Sequence, residues 1–412
     1  MPQKIFSQPW KKVKTMARTI NSRVSWVGKI DWELNKFHGE ELSTRHGSSY
    51  NAYLVKGTVK TVLIDTVWKP YGLEFIEQLK QTINLSEITA IVANHGEVDH
   101  SGALPFLLKL IPGTPVYCTA NGVKSLKGQY HEDWNFQVVK TGDRLELGGC
   151  DLTFIEAPML HWPDTMFSYL SQDNILFSND AFGQHYASEK MFNDLVDQCE
   201  LMHEAMKYYA NILSPYSAMV IKKVREILDM GLPVDMICPS HGVIWREEPM
   251  RIVDKYRQWA DNYHENQVTV LYDTMWNSTR IMAEAIAAAM ADYAPALCVK
   301  VYNVSKHDHS DLVTEVFRSR GIVVGSPTYN RGLLSAMAAV LEEIGGMGLK
   351  NRKAVAFGSY GWSGEAAKII AEHLGKAGFE LINDGLRHMW TPDQEALAKC
   401  RFLGEEFTKA LD

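Results

Sequence analysis

Residues 94–102 read Asn-His-Gly-Glu-Val-Asp-His-Ser-Gly. Four side chains able to hold a metal, His95, Glu97, Asp99 and His100, fall within six residues, more than a solvated loop has use for. They directly follow an apolar run ending at Ala93, and Ser101 is placed to cap a helix starting next. Three further apolar runs each end in another candidate: His161 after residues 152–158, Asp180 after 174–178, and His241 after 235–239. Taken singly, each is an ordinary strand-end or turn residue. Independent turns have no reason to repeat metal-ligand chemistry, so the pattern predicts one metal site on one edge of the sheets. Seven ligands exceed the four of a closed zinc site and suit two ions sharing a carboxylate bridge.

A second set lies near the C-terminus. Thr274, Met275, Trp276, Asn277, Ser278 and Thr279 follow an apolar run and precede a helical stretch. Their hydroxyls and amide, with free N–H groups at a helix start, can cradle a phosphate without lysine; alone they would be ordinary capping. Two later loops, Pro327-Thr328-Tyr329-Asn330 after Ser326 and Ser359-Tyr360-Gly361-Trp362-Ser363-Gly364, each bring an aromatic residue to the same edge. Tyr329 and Trp362 could stack on a planar ring, and Gly361 and Gly364 permit close backbone approach. No G-x-G-x-x-G opens a helix after a strand, which disfavours a dinucleotide fold.

These residues need elements to position them. From Val24 to about residue 240, short apolar runs alternate with turn signals, and strands are expected at 24–31, 53–55, 61–64, 88–93, 115–118, 152–155, 174–177 and 235–238. Helices are expected at 73–82, 102–110 and, as one long element, 192–213. A polar, aromatic stretch at 256–265 places a boundary near residue 264. Beyond it strands at 267–273, 297–302, 321–326, 353–359 and 379–382 alternate with helices, including 278–293 and 392–411. That rhythm predicts a five-stranded parallel, doubly wound domain that binds ligands at the carboxyl ends of its strands.

The chain resembles the flavodiiron proteins (A-type flavoproteins) over nearly its whole length. His95-x-Glu97-x-Asp99-His100, then His161, Asp180 and His241, is similar to their diiron signature member for member. The resemblance implies a metallo-β-lactamase-like αββα sandwich over 1–264, with a basic arm at 1–23, and a flavodoxin-like FMN domain over 265–412. It implies one iron on His95, Glu97 and His161, a second on Asp99, His100 and His241, and Asp180 between them. The loop from Thr274 to Thr279 would hold the FMN phosphate, and the two later loops the isoalloxazine ring. Hydrolases of the same fold class carry His-x-His-x-Asp-His, with imidazole where this chain has Glu97. The extra hard anion favours iron that can reach the ferric state over two zinc ions, and redox chemistry over hydrolysis.

The implied function is a terminal reductase of dioxygen, of nitric oxide, or of both, with dioxygen taken first; no residue decides between them. The implied donor is external: rubredoxin, a reduced deazaflavin coenzyme or another reductase. A head-to-tail homodimer, or a dimer of dimers, is implied as well. His38 could line the substrate pocket or be a satisfied loop histidine. Tyr50, Met159, Trp162 and Met166 read as packing, although the last three could keep bulk water from the site. A dinuclear zinc hydrolase carrying a flavodoxin module, and a flavin carrier with a structural first domain, are the rival readings. Metal analysis separates all three.

Composition sets the outer limits. The 412 residues are 46% hydrophobic and 22% charged, an ordinary globular balance. With 42 basic and 49 acidic residues the net charge is −7, a poor fit to nucleic-acid or anionic membrane surfaces. The most apolar helical stretch, 281–290, is broken by Glu284 and too short to span a bilayer. Lys4, Lys11, Lys12, Lys14, Arg18, Arg23 and Lys29 all precede the first acid, Asp31; we read a solvated arm there rather than a transit peptide. Six scattered cysteines without a C-x-x-C pair fit a reducing, cytoplasmic setting. They supply no rubredoxin-like iron site, so electrons are expected from another molecule.

Overall fold

Period-2 burial builds the first part of the chain. In the strand Thr61–Ile64, Val62 and Ile64 face one core and Leu63 the opposite one. Residues 90–92 do the same, with Ala90 and Val92 on one side and Ile91 on the other, while Ile88, before a register shift, joins the side of Ile91. Strands apolar on both faces must be covered on both. A seven-stranded sheet runs Arg18–Thr19, Val24–Trp26, Tyr53–Lys56, Thr61–Ile64, Ile88–Val92, Val116–Cys118 and Phe136–Val138. A five-stranded sheet runs Arg144–Glu146, Asp151–Glu156, Met166–Leu170, Ile175–Asn179 and Met236–Pro239. Their inner faces share one core that includes Val62, Val92, Phe154 and Phe177. Helices Gly72–Thr82, Leu104–Leu110 and Ala120–Tyr130 cover the first sheet, and Gln198–Tyr208, Ser217–Asp229 and Met250–Ala260 the second. This is the metallo-β-lactamase-like αββα sandwich.

The second part opens on the strand Glu265–Tyr272, the centre of a wholly parallel sheet. Cys298–Asn303 lies on one side of it and Ser319–Gly325, then Lys353–Tyr360, on the other. Helices Ser278–Tyr293 and Gln394–Ala410 cover one face; His309–Arg318, Ser335–Gly346 and Ala366–Lys376 cover the other. The fold is flavodoxin-like. One hydrophobic cluster continues from the outer face of the second sheet, through Tyr209 and Phe317, to Ile322 and Val324 in the parallel sheet.

The computed structural model describes residues 17–411; Lys4, Lys11, Lys12 and Lys14 lie outside them. Several expectations are corrected. Arg18 and Arg23 are no free arm: Arg18 opens an edge strand, and Arg23 pairs with Asp173 at 3.0 Å. The strand expected over 24–31 breaks into Val24–Trp26 and Lys29–Asp31, which join different sheets. The helix expected over 192–213 begins only at Gln198, where the Asp197 carboxylate accepts from the N–H groups of Cys199 and Glu200. It then widens into a π-helical turn, Tyr209–Leu213. Ser101 is no N-cap: it ends the helix Val98–Ser101 and donates back to the carbonyls of Gly96 and Glu97. The fifth strand of the parallel sheet is two short pieces, Glu380–Leu381 and Leu386–Met389, both beside Lys353–Tyr360. Met166, read as packing around His161, opens a fully buried strand that the sequence reading missed. No helix among the described residues is long and apolar enough to cross a membrane.

Candidate metal centre and flavin cavity

Loops at the carboxyl ends of the sandwich strands bring seven side chains together. Asn94 to Glu97 follow Ile88–Val92, and Asp99 and His100 lie on the helical turn Val98–Ser101. His161 sits between Asp151–Glu156 and Met166–Leu170, Asp180 ends Ile175–Asn179, and His241 follows Met236–Pro239. The ligand atoms form two groups, His95, Glu97, His161 and Asp180 in one and Asp99, His100 and His241 in the other.

In the first group, Nε2 of His95 lies 3.2 Å from Glu97 Oε2 and 3.6 Å from Asp180 Oδ2. Nε2 of His161 lies 3.4 Å from each of the same two oxygens. In the second group, His100 Nε2 is 3.1 Å from Asp99 Oδ2 and 3.0 Å from Asp180 Oδ1. His241 Nε2 is 3.2 Å and 3.4 Å from those same atoms. Asp180 therefore shows one oxygen to each group.

The donor set fits two metal ions. Both Asp99 oxygens, both His100 nitrogens and Asp180 Oδ2 are buried without a hydrogen-bond partner, an arrangement that is costly unless a cation draws them together. Burial works against charge on His161 and His241. The carboxylates beside them, Asp180 with Glu97 or with Asp99, outweigh it and raise them to about 9 and about 10. Against the opposing effect of burial, His161, His38 and His95 hold Glu97, and His100, His161 and His241 hold Asp180, far below the usual carboxylate range. Ligands so polarised exchange protons for metal.

An outer layer fixes this cluster, and the sequence reading missed it. Asp164 Oδ1 accepts from His95 Nδ1 at 3.0 Å, and its Oδ2 accepts from the Gly96 N–H at 2.8 Å. The Ser49 carbonyl accepts from His241 Nδ1 at 2.7 Å. Asp65, pushed up to about 6 by burial, accepts from the Asn94 N–H and from the side-chain amides of Asn94 and Asn179. One carboxylate thus ties the strand ends that carry His95 and Asp180. Asp65 ends an apolar run, so the strand-end signal could have found it; Asp164, in a turn with Pro163, gave none. Trp162 is more than filler, because its ring stands edge-on to His95 at 4.9 Å. Tyr50 meets the His241 ring edge-on at 6.0 Å. Met159 lies half-buried on the same turn. His38 reaches the cluster, its Nε2 lying 3.3 Å from Glu97 Oε1 with the side chain 36% exposed.

The parallel sheet carries a cavity of about 530 Å³ at the carboxyl ends of its strands. Thr274, Met275, Trp276 and Ser278 line it, with Pro327, Thr328 and Asn330 of the second loop and Ser359 to Ser363 of the third. Asn277, Thr279, Tyr329 and Gly364 do not. Thr279 is fully buried against Ser359, and Asn277 takes a left-handed conformation before the helix. Tyr329 closes a turn with Gly332 and is half exposed. Arg331, Trp390 and Thr391 line the cavity and were missed. The last two follow Leu386–Met389, the strand that sequence reading misplaced. A buried Thr274 hydroxyl without a partner, at the start of the helix Ser278–Tyr293, suits a phosphate.

Known proteins share this plan. A family model described as ODP family beta lactamase matches residues 49–242, and one described as flavodoxin matches 270–403. The flavodiiron protein of Giardia intestinalis has a TM-score of 0.91 and 30% identity, over 96% of this chain and 97% of that one. The chain belongs to the flavodiiron protein family. Within it, the anaerobic nitric oxide reductase flavorubredoxin of Aliivibrio fischeri is 52% identical over 392 residues, 95% of this chain and 79% of that protein. The structure of the rubredoxin oxygen:oxidoreductase of Desulfovibrio gigas has a TM-score of 0.93 and 35% identity, covering 96% of this chain and 98% of that one. As a family member the chain is an oxidoreductase, and its cofactors are FMN and two irons.

Proposed function

We propose that this chain is a terminal reductase in which His95, Glu97 and His161 hold one iron, Asp99, His100 and His241 hold the other, and Asp180 bridges them. The observation that carries the assignment is the divided Asp180 carboxylate, Oδ2 toward one group and Oδ1 toward the other. When bound, the irons supply a redox template for a diatomic molecule, and FMN a store of electrons between donor and irons. The remaining work falls to the side chains. Glu97 gives its position a hard anionic oxygen. Trp162 and Phe37 wall the cluster against bulk water. His38 Nε2 lies on the exposed side, 3.3 Å from Glu97 Oε1, placed to pass a proton toward the cluster.

Nitric oxide, reduced to nitrous oxide, is the first substrate in this reading, supported by the name of the 52% identical relative. Dioxygen, reduced to water, is the second, supported by the name of the structural neighbour at 35% identity. Thr274, Ser278 and their neighbours hold the FMN phosphate, and the two later loops, with Trp390 at the rim, hold the ring. The FMN unit begins at about residue 265, and electrons come from an external donor: rubredoxin, a reduced deazaflavin coenzyme or a reductase. A head-to-tail homodimer is part of the proposal, supported by Trp276 and Trp362, 88% and 87% exposed at the cavity rim.

The test is metal analysis joined to one substitution. The purified chain should hold two irons and one FMN; zinc in place of iron would favour a hydrolase, and no metal a simple flavin carrier. Glu97→His should lose iron and gas reduction while keeping FMN. Unchanged consumption of nitric oxide and dioxygen by that variant would sink the assignment.

A further inference from the structure

The two halves of the cluster are backed differently. His95 passes its Nδ1–H to a carboxylate, Asp164, whereas His241 passes its own to a neutral carbonyl, that of Ser49. Carboxylate and carbonyl only accept, so in both rings Nδ1 carries a proton, and Nε2 is the nitrogen left to exchange its proton for a metal. The difference is the full negative charge behind one ring. That charge is well held: Asp164 is 1% exposed, its second oxygen takes the Gly96 N–H, and its backbone carbonyl takes the Thr119 hydroxyl at 2.9 Å. Asp164 also lies three residues after His161, so one turn carries a proposed ligand and the anchor of another.

We propose that Asp164 is the positioning residue that makes the two metal positions unequal, giving the His95–Glu97–His161 position the tighter hold on iron. A carboxylate behind an imidazole fixes the ring and raises its basicity, and removing such a partner lowers metal affinity about 10–100-fold. Nothing equivalent stands behind His241, and Nδ1 of His100 has no partner. The inference rests on the diiron reading above.

The experiment uses the full chain with FMN bound, stripped of metal and titrated anaerobically with Fe(II), while metal content and Mössbauer spectra are followed. Wild type should fill in two resolved steps. In Asp164→Asn, which keeps an acceptor but loses the charge, the tighter dissociation constant should rise about 10–100-fold and the other stay within about threefold. One of the two ferrous signals should shift and the other should not, a pattern that general loosening of the loop would not give. Asp164→Glu should recover at least part of the lost affinity. Two equal affinities in wild type overturn the inference whether or not either variant folds. Resolved affinities unchanged in Asp164→Asn overturn the role of Asp164 and leave the diiron reading standing. No iron uptake by wild type contradicts the diiron reading itself.

Discussion

At position 97 a glutamate stands between His95 and Asp99, and its two oxygens face different neighbours. Oε2 meets His95 and His161, while Oε1 meets His38. His38 Nε2 therefore sits beside a proposed iron ligand, where a proton can be handed on. His38→Phe should lower turnover about 100-fold, the usual scale for losing a positioned proton donor. Iron and FMN content should not change; steady-state gas consumption beside metal and flavin analysis checks both, and full activity would dismiss the role. The seven ligand candidates were legible because each stands where an apolar run stops. Asp164 was not, because its partner is 69 residues away and its own turn has no period.

Elements hold these residues by tight turns and by contacts between domains. Gly242, directly after His241, has φ +76° and lies against the side chain and backbone of Gln184, where a Cβ would collide. Gly242→Ala combines that clash with a strained φ and should cost about 1–3 kcal/mol. Chemical unfolding of the variant measures it, and an unchanged midpoint would contradict the packing described. Asp308 makes a pH-dependent contact. Placed to cap the helix His309–Arg318, it spends its carboxylate instead on Lys36 and Arg45 of the sandwich, both at 2.8 Å. Those hydrogen bonds hold it down to about 2. A depressed carboxylate stabilises the fold above its unfolded value near 3.9 and loses that contribution as pH falls toward about 2. Between about pH 5 and 3, thermal stability should fall less steeply in Asp308→Asn than in wild type; identical slopes would contradict the pairing. The strand–helix alternation of the second domain was readable in advance because its central strands, such as 268–272 and 354–357, are largely apolar runs buried on both faces. Residues 192–197 were not, since their apolar positions fit a helix and only the Asp197 side chain decides where the helix starts.

On the scale of the molecule, the helix His309–Arg318 joins the two domains. Leu312, Val316 and Phe317 enter the shared core, while Ser310 and Thr314 bond to Ser43 and Asn211 of the sandwich. In the sequence those polar residues pass for a solvent face, which is why docking of the domains was not foreseen. The exposed Trp276 and Trp362 belong to this scale too. The doubly substituted Trp276→Asp, Trp362→Asp chain should sediment as a monomer with its iron retained, and wild type as a dimer. A monomeric wild type would remove the head-to-tail arrangement. Stopped-flow reoxidation tests whether electrons held on FMN leave through the irons held by these seven residues. The iron-loaded, FMN-containing chain is reduced anaerobically and mixed with nitric oxide or with dioxygen. If electrons take that route, the flavin reoxidises rapidly and completely in wild type, with nitrous oxide formed from nitric oxide, and slowly in Glu97→His. Equal rates in the two proteins would contradict it.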